Sequence, residues 1–293
     1  MKKITKTVIT AAGMGTRLLP YTKETPKEMM PIYSKTKDGQ IILKPILQVI
    51  FESIYDFGVR DYCFVVGRGK RSIEDHFLTS DKNYNSNQRN ELVDFFNKIQ
   101  KSNLLYVQQS SAKGFGDAVY QGKSFAENDN FLLHAGDDVI LSKDNNHLKR
   151  LEQAFFKYDA DMAFLVTRIK DPRKYGVIEG KKGKGGVILV KNLEEKPEKP
   201  KSNLAVVATY IFKPLIFEEL KKIKPDKKGE IQLADAIQNI IKMGKTVAVE
   251  LNSNEKRIDV GTPESYINCL KDSYTFSKAT KSTKNRKKNH GKK

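Results

Sequence analysis

Hydrophobic residues along the chain gather in short runs that are separated by longer amphipathic stretches. The short apolar runs predict β-strands, and the stretches between them have the spacing of helices with one apolar face. The predicted strands are 5–11, 61–66, 104–107, 130–134 and 161–167. The helices predicted between them are 45–57, 70–78, 88–101, 115–125 and 146–158. This alternation is typical of a doubly wound α/β fold with a mainly parallel sheet.

The pattern changes after Arg168. Two short apolar runs, 176–179 and 187–190, flank the segment GKKGKGG, which predicts a β-hairpin with a glycine- and lysine-rich loop. A predicted strand near 205–212 and predicted helices near 213–222, 230–243 and 262–275 follow. We therefore expect a mixed, mainly parallel sheet with a small β-rich extension and C-terminal helices. Two polar segments, 34–40 and 79–90, are predicted to be surface excursions.

Composition places the chain among soluble cytoplasmic proteins. Its 293 residues, 39% of them hydrophobic, are enough for a sizeable core. No apolar run approaches the roughly 18 residues that a membrane span needs. The start, MKKITKTVIT, has lysines but no long apolar stretch or cleavage site, so we do not expect a signal peptide. Cys63 and Cys269 lack metal-binding spacing, which favours two buried thiols in a reducing compartment.

Positive charge is unevenly distributed. The formal charge is +18, and residues 278–293 contain eight Lys or Arg and no acid. The remaining 45 basic and 35 acidic residues leave +10, which suits an enzyme that gathers polyanionic small molecules. Because the tail has almost no apolar residue, we expect a folded domain over 1–275 and a disordered basic tail over 276–293. A nucleic-acid-binding arm is the alternative, but no aromatic interleaving or reader fold supports it.

The stretch AAGMGTRLLPYTKETPKEMMP, residues 11–31, follows the first predicted strand. Ligands of open α/β sheets bind beyond the carboxyl ends of the strands, so its glycines suit a nucleotide. Leu18 replaces the third glycine of a dinucleotide fingerprint, prolines interrupt any helix, and no Walker motif occurs. Arg17 and Lys27 could then wrap a triphosphate, since Arg offers a planar fork and Lys a mobile charge. A plain βα turn is the alternative.

Three other motifs carry candidate chemistry. Asp137 and Asp138 end a predicted strand, where hard oxygen ligands suit Mg²⁺, and alternation predicts that only one of them faces the cleft. Gln109 offers an amide donor and acceptor that match a pyrimidine edge. Lys196 precedes Pro197, which predicts an extended backbone. An acidic turn and a solvated lysine are the alternatives. The four histidines form no ligand pair and no nucleophile triad.

The stretch 11–31 resembles the signature of the sugar-1-phosphate nucleotidylyltransferases. The similarity continues, in the order that the family has, through most of the chain. Its motifs are KPILQ (44–48), RSIEDHF (71–77), QSSAKGFGDAV (109–119), AGDDVIL (135–141), KYGVIEG (174–180), EEKPEKPKSNLAVV (194–207), KGEIQLADAI (228–237) and IDVGTPESY (258–266). Only the two polar excursions and the tail fall outside the resemblance.

The resemblance implies uridylyl transfer from UTP to glucose 1-phosphate with Mg²⁺, giving UDP-glucose and pyrophosphate. Transfer from dTTP or to another sugar 1-phosphate is the alternative. By resemblance, the nucleotide is bound by Ala11, Ala12, Gly13, Gly15, Gln109 and Gly114, the leaving pyrophosphate by Arg17 and Lys27, the sugar phosphate by Gly176, Glu195 and Lys196, and the metal by Asp137 and Asp259. Such enzymes are often dimers or tetramers. Ala208 and Thr209 depart from the family's glycine and arginine, which leaves the hexose open.

Overall fold

The computed structural model describes residues 3–78 and 86–279, apart from the side chains of 86–89 and 184. Its strands are β1 (Lys6–Ala11), β2 (Pro31–Lys35), β3 (Ile41–Pro45), β4 (Asp61–Gly67), β5 (Asn103–Gln109), β6 (Phe131–Ala135), β7 (Asp138–Leu141), β8 (Met162–Arg168), β9 (Gly176–Lys182), β10 (Val187–Glu195), β11 (Leu204–Phe212), β12 (Thr246–Glu250) and β13 (Lys256–Asp259). Its helices are α1 (Ile46–Phe57), α2 (Arg71–His76), α3 (Ser86–Gln100), α4 (Phe115–Gln121), α5 (Lys123–Ala126), α6 (Asn146–Lys157), α7 (Leu215–Lys222), α8 (Leu233–Met243) and α9 (Pro263–Ala279).

Nine strands form one mixed sheet in the order β5-β4-β1-β6-β11-β8-β12-β10-β9. The first four run parallel to one another, and β11 lies antiparallel between β6 and β8. Strand β12 is again parallel to β8, and the β9–β10 hairpin completes the sheet. The predicted mixed, mainly parallel sheet with a hairpin extension is therefore confirmed.

Both faces of the sheet are covered, as expected of a doubly wound fold. Successive strand residues point to opposite faces, so Ile9 joins one core and Val8 the other. The Ile9 core contains Phe51 of α1 and other side chains from α1, α3 and α6. The Val8 core contains Ile237 of α8 and other side chains from α4 and α7. The alternation of strands and helices in the sequence thus predicts the layers correctly.

Several elements differ from the prediction. The short strands β2, β3, β7, β12 and β13 were not among the predicted strands; β2 pairs with β3 and β7 with β13 in small two-stranded sheets outside the nine-stranded one. The excursion 34–40 contains the turn of the β2–β3 hairpin. The helix predicted over 115–125 divides at Gly122 into α4 and α5, and α9 continues to Ala279. Residues 79–85 of the second excursion and 280–293 of the predicted tail lie outside the described residues.

Both cysteines are buried, reduced thiols, as the sequence predicts. Burial raises the pKa of Cys63 and of Cys269 to about 12, so neither is a reactive thiolate at neutral pH. Within the part of the chain that the structure describes, no helix is both long and apolar enough to cross a membrane.

Three histidines favour the neutral state: His134 and His147 are buried, and His76 is half-buried. Burial lowers the pKa of His76 and of His134, whose ring Nδ1 lies 2.8 Å from the Ala135 carbonyl oxygen. Burial, together with the neighbouring His134 and Arg150, lowers the pKa of His147 to about 3. When the pKa of a histidine is lower in the folded protein than in the unfolded chain, the unfolded chain binds protons more readily. Acid therefore destabilises the fold.

We expect stability to fall as the pH drops below about 6.5, because unfolded histidines then bind protons that the folded protein excludes. His147 alone should lower the free energy of unfolding by about 1.4 kcal/mol for each pH unit below that point, and this loss continues towards pH 3. Urea unfolding of the wild type and of His147→Phe at pH 7 and pH 5 measures it. The variant should lose about 2 kcal/mol less than the wild type over this interval. An equal loss in both proteins would contradict the assignment.

Candidate active site

A cavity of about 750 Å³ opens at the carboxyl ends of β1 and β6. The strand order places the end of β6 between the loop that follows β1 and the β9–β10 hairpin. At this point the parallel strands meet the antiparallel β11. Crevices where the strand pattern reverses are the usual ligand sites of open α/β sheets.

The loop after β1 wraps one side of the cavity without forming a long helix. Gly15 has a φ of +64°, and its carbonyl oxygen accepts a hydrogen bond from the Thr22 hydroxyl at 2.8 Å. Three single 3₁₀ turns follow, as the prolines in the sequence predict. The loop carries Arg17, which is exposed, and Lys27, which is largely buried, to the cavity wall.

Lys27 forms an ion pair with Asp137, which lies just beyond β6. Burial alone would lower the pKa of Lys27, but the charge and hydrogen bond of Asp137 outweigh burial, so the pKa is raised. Lys27 is therefore a permanent cation at neutral pH. The pair brings together the first motif and the predicted metal ligand, which are far apart in sequence.

Asp137 and Asp138 both line the cavity, so the expectation that only one faces it was wrong. Strand β6 ends at Ala135, and the chain turns before Asp138 begins β7, which removes the alternation of an extended strand. Arg257 holds the Asp138 carboxylate. Its Nε donates to Oδ1 at 2.8 Å and to Oδ2 at 2.9 Å, and its Nη2 lies 2.8 Å from Oδ2. The Asp138 Oδ2 also accepts from the Ala208 N–H at 3.1 Å.

Asp259 lies opposite Asp138 in the β7–β13 pairing. Burial, and then the negative charge of Asp138, raise the pKa of the Asp259 carboxyl. The next residues begin α9, where the Thr262 hydroxyl oxygen caps the helix by accepting a hydrogen bond from the Ser265 N–H. A side chain at Gly261 would lie 3.1 Å from Nη2 of Arg17, which shows how closely the two loops approach.

Three functional candidates were missed in the sequence. Glu28 is buried on the cavity wall, and its Oε2 lies 2.7 Å from Nζ of Lys70. Burial raises the pKa of Glu28, although Lys70 opposes the shift. Lys70 is the second candidate and Arg257 is the third. Arg257 stands two residues before Asp259, and residues with this spacing share one face of a strand, so the sequence did contain a signal for it. No local pattern links Glu28 with Lys70.

The hairpin side of the cavity is formed by the predicted sugar-phosphate residues. Gly176 pairs with Glu195 in the β9–β10 register, and it leaves room for the Glu195 carboxylate. The Lys196 Nζ lies 3.0 Å from Glu195 Oε1. The extended backbone predicted for Lys196 was wrong, because its φ is +47° and its N–H donates to the Tyr175 carbonyl. Strained backbone of this kind is frequent at functional sites.

The third wall contains Gln109 at the end of β5 and Gly114 before α4. The Gln109 Nε2 donates to the Gly114 carbonyl oxygen at 3.2 Å and to the Asp117 carboxylate at 2.7 Å. Gly114 has a φ of +93°, and a side chain there would lie 2.8 Å from the Ile231 carbonyl oxygen. The absence of a side chain is therefore explained by close backbone packing as well as by room for a ligand.

Most of the predicted site residues meet in this one cavity. Those that line it are Ala12, Gly13, Arg17, Lys27, Gln109, Gly114, Asp137, Gly176, Glu195, Lys196 and Asp259. The other two do not line it: Ala11 is buried in the core, and Gly15 shapes the turn of the loop.

Comparison with known proteins assigns the chain to a family. A family model described as nucleotidyl transferase matches residues 6–275. The chain therefore belongs to the nucleotidyl transferase family, and the resemblance seen in the sequence is confirmed.

Individual relatives are similar over nearly the whole chain. The UTP–glucose-1-phosphate uridylyltransferase of Bacillus subtilis is 35% identical over 280 residues, which are 91% of this chain and 90% of the relative. That of Streptococcus pyogenes is 36% identical over 272 residues, 89% of this chain and 86% of the relative. The crystal structure of a UDP-glucose pyrophosphorylase complexed with UDP-glucose is 36% identical, with a TM-score of 0.82, covering 93% of this chain and 99% of that one.

The buried Glu28–Lys70 pair predicts a pH-dependent stability defect. Lys70→Met should destabilise the protein by about 3–5 kcal/mol at pH 7, because it leaves a carboxylate buried and unpaired. The defect should shrink towards pH 4.5, where protonation of Glu28, whose folded pKa is raised, removes the charge. Urea unfolding at the two pH values measures it. The double variant Glu28→Gln/Lys70→Met is the control, and it should recover at least half of the loss at pH 7. A defect independent of pH would contradict this role of the pair.

Proposed function

We propose that the protein transfers a uridylyl group from UTP to glucose 1-phosphate, releasing pyrophosphate. The observation that carries the proposal is the charge arrangement of a single cavity. Arg17 and Lys27 lie on the wall formed by the loop after β1, and Lys196 lies on the wall formed by the hairpin. Asp137 is positioned between these walls by the strand order. Two phosphate-bearing substrates can therefore meet with cations on both sides.

The reaction needs positioning and charge neutralisation more than a protein nucleophile. An oxygen of the sugar phosphate attacks the α-phosphorus of UTP, and the bond from that phosphorus to the β-phosphate oxygen breaks. The attacking oxygen is already anionic, so no general base is required. Lys196 holds the attacking phosphate, and Arg17 and Lys27 bind the pyrophosphate as it leaves. Oriented donors and cations of this kind lower the barrier without reorganisation.

The residues between the walls fit a magnesium ion. Asp137 and Asp259 supply hard carboxylate oxygens, and the raised pKa of Asp259 reflects burial and negative charge that a divalent cation would relieve. Among the described residues, no group of three or more potential metal-ligating side chains could hold an ion. Mg²⁺ commonly takes one or two carboxylates and draws its other ligands from substrate phosphates and water. Bound there, the ion would neutralise phosphate charge.

The Gln109 side chain favours binding of a pyrimidine whose N3 carries a proton. Its amide nitrogen is engaged by Gly114 and Asp117, which leaves Oε1 to accept a hydrogen bond from a base. Uracil and thymine present such an N3–H, and cytosine does not. Among pyrimidine nucleotides this contact favours UTP or dTTP over CTP, and the similarity to the uridylyltransferases favours UTP. The expectation that this protein forms a dimer or tetramer stays a prediction.

A panel of substrates tests the proposal directly. The wild-type protein is incubated with UTP, dTTP, CTP or ATP and with glucose, galactose or mannose 1-phosphate in Mg²⁺, and pyrophosphate release is measured. UTP with glucose 1-phosphate should give the highest kcat/KM. Faster release with dTTP, or with another hexose phosphate at the wall where Ala208 lies, would redirect the assignment. If no combination of substrates released pyrophosphate, the proposed reaction would be refuted.

Lys196→Ala should raise the KM for glucose 1-phosphate about 10- to 100-fold, because it removes a charge-assisted hydrogen bond to that phosphate. The KM for UTP should change much less. Lys196 is exposed, so thermal stability should stay at the wild-type value, which provides the control for folding. Steady-state kinetics with each substrate varied in turn measure the effect, and equal changes in both KM values would refute this role.

Asp137→Ala should abolish most turnover in the presence of Mg²⁺, since it removes both a candidate metal ligand and the partner of Lys27. Circular dichroism checks that the fold is intact, and pyrophosphate release measures turnover. Wild-type rates in excess Mg²⁺ would reject the metal role.

A further inference from the structure

The orientation of the Gln109 side chain is determined by its two neighbours. The Gly114 carbonyl and the Asp117 carboxylate are both acceptors, so only the NH₂ end of the amide can face them. Both of its N–H groups are used in these two bonds. Gln109 is only 6% exposed, so water has little access to compensate for a reversed amide. Its Oε1 accepts no hydrogen bond from the described residues and is left for a ligand.

Among the described residues, the side-chain hydrogen bond to Gln109 is what links the Asp117 carboxylate to a residue that lines the cavity. It lies in the first turn of α4, outside the residues that line the cavity. Its Oδ2 is 2.7 Å from Gln109 Nε2, whereas Oδ1 is 3.4 Å from Gln121 Nε2. The Gly114 bond to Gln109 is longer, at 3.2 Å, and its acceptor is neutral. The charged carboxylate is therefore the stronger of the two restraints on the amide.

We propose that Asp117 is a positioning residue that sets the base preference of the site, by holding the amide oxygen of Gln109 towards the nucleotide. The inference rests on the proposed use of UTP. With the oxygen facing the base, the N3–H of uracil or thymine finds an acceptor. A cytosine in the same place directs the N3 lone pair at that oxygen, which leaves two acceptors opposed and a polar contact unmade.

Three variants separate positioning from a structural role. Asp117→Ala removes the acceptor and lets the amide reverse. Asp117→Asn keeps an oxygen that can accept from Gln109. Asp235→Ala is the matched control, because Asp235 is the exposed first-turn acid of α8 and does not line the cavity. It reports the loss of an acid near a helix N-terminus without any contact to Gln109.

The measurement is the affinity for UTP, dTTP and CTP, determined by calorimetry in Mg²⁺ without a sugar phosphate. In Asp117→Ala, the UTP-to-CTP affinity ratio should fall about tenfold, which is the discrimination that one hydrogen bond between a base and a protein acceptor supports. The UTP-to-dTTP ratio should stay unchanged, because both bases present an N3–H. Asp117→Asn should retain most of the UTP-to-CTP ratio, and Asp235→Ala should retain all of it.

Several results would overturn the inference. A UTP-to-CTP ratio that is unchanged in Asp117→Ala, with all three affinities reduced alike, would assign Asp117 a structural role only. An Asp117→Asn ratio as low as that of Asp117→Ala, or a wild-type protein that binds UTP and CTP equally, would also refute it. Binding does not require turnover. A protein that prefers UTP but releases no pyrophosphate would refute the proposed reaction while the ratios still test Asp117.

Discussion

Repulsion between carboxylates that meet at one edge of the sheet is the constraint on which the structure of the site depends. Four acids gather there, and three of them are paired with a cation brought from another part of the chain. The pairs are Lys27 with Asp137, Lys70 with Glu28, and Arg257 with Asp138. Asp259 lies beside two of these acids without a direct cation partner of its own among the described residues, and burial, followed by the negative charge of Asp138, raises its pKa. The fold can concentrate acid at this edge because its topology delivers cations to the same place.

The same arrangement divides the cavity into functional sectors. Paired charges between the walls are mutually neutralised, so they define geometry without repelling incoming phosphates. Cations on the walls, such as the exposed Arg17 and Lys196, remain available for ligands. Lys27 belongs to both groups, since it pairs with Asp137 and also lines the wall beside Arg17. On the third wall, Gly114 and Asp117 determine the direction of the Gln109 amide.

Much of this could be predicted from the sequence, and the failures have physical causes. Apolar runs and amphipathic spacing predicted the layers, because the core strands carry their own hydrophobic signal. The strands β7 and β13 were missed since each is only four residues long and exists through its partner. Local rules for an extended chain also failed at Asp138 and Lys196, where turns and main-chain hydrogen bonds override them. The Glu28–Lys70 pair had no sequence signal at all, because pairing across the fold leaves no spacing rule. The resemblance to a family supplied the ligand roles that composition and spacing left open.

The close approach of Gly261 to Arg17 has a consequence for biosynthesis. The loop that carries Arg17 is synthesised long before Asp259 and the start of α9, since most of the described chain lies between them. A nascent chain can pair β1 with β4 and β6 long before the wall beside Arg17 exists. The cavity is therefore completed only after Asp259 and the start of α9 have been synthesised, and a chain that stopped before them would lack the wall beside Arg17.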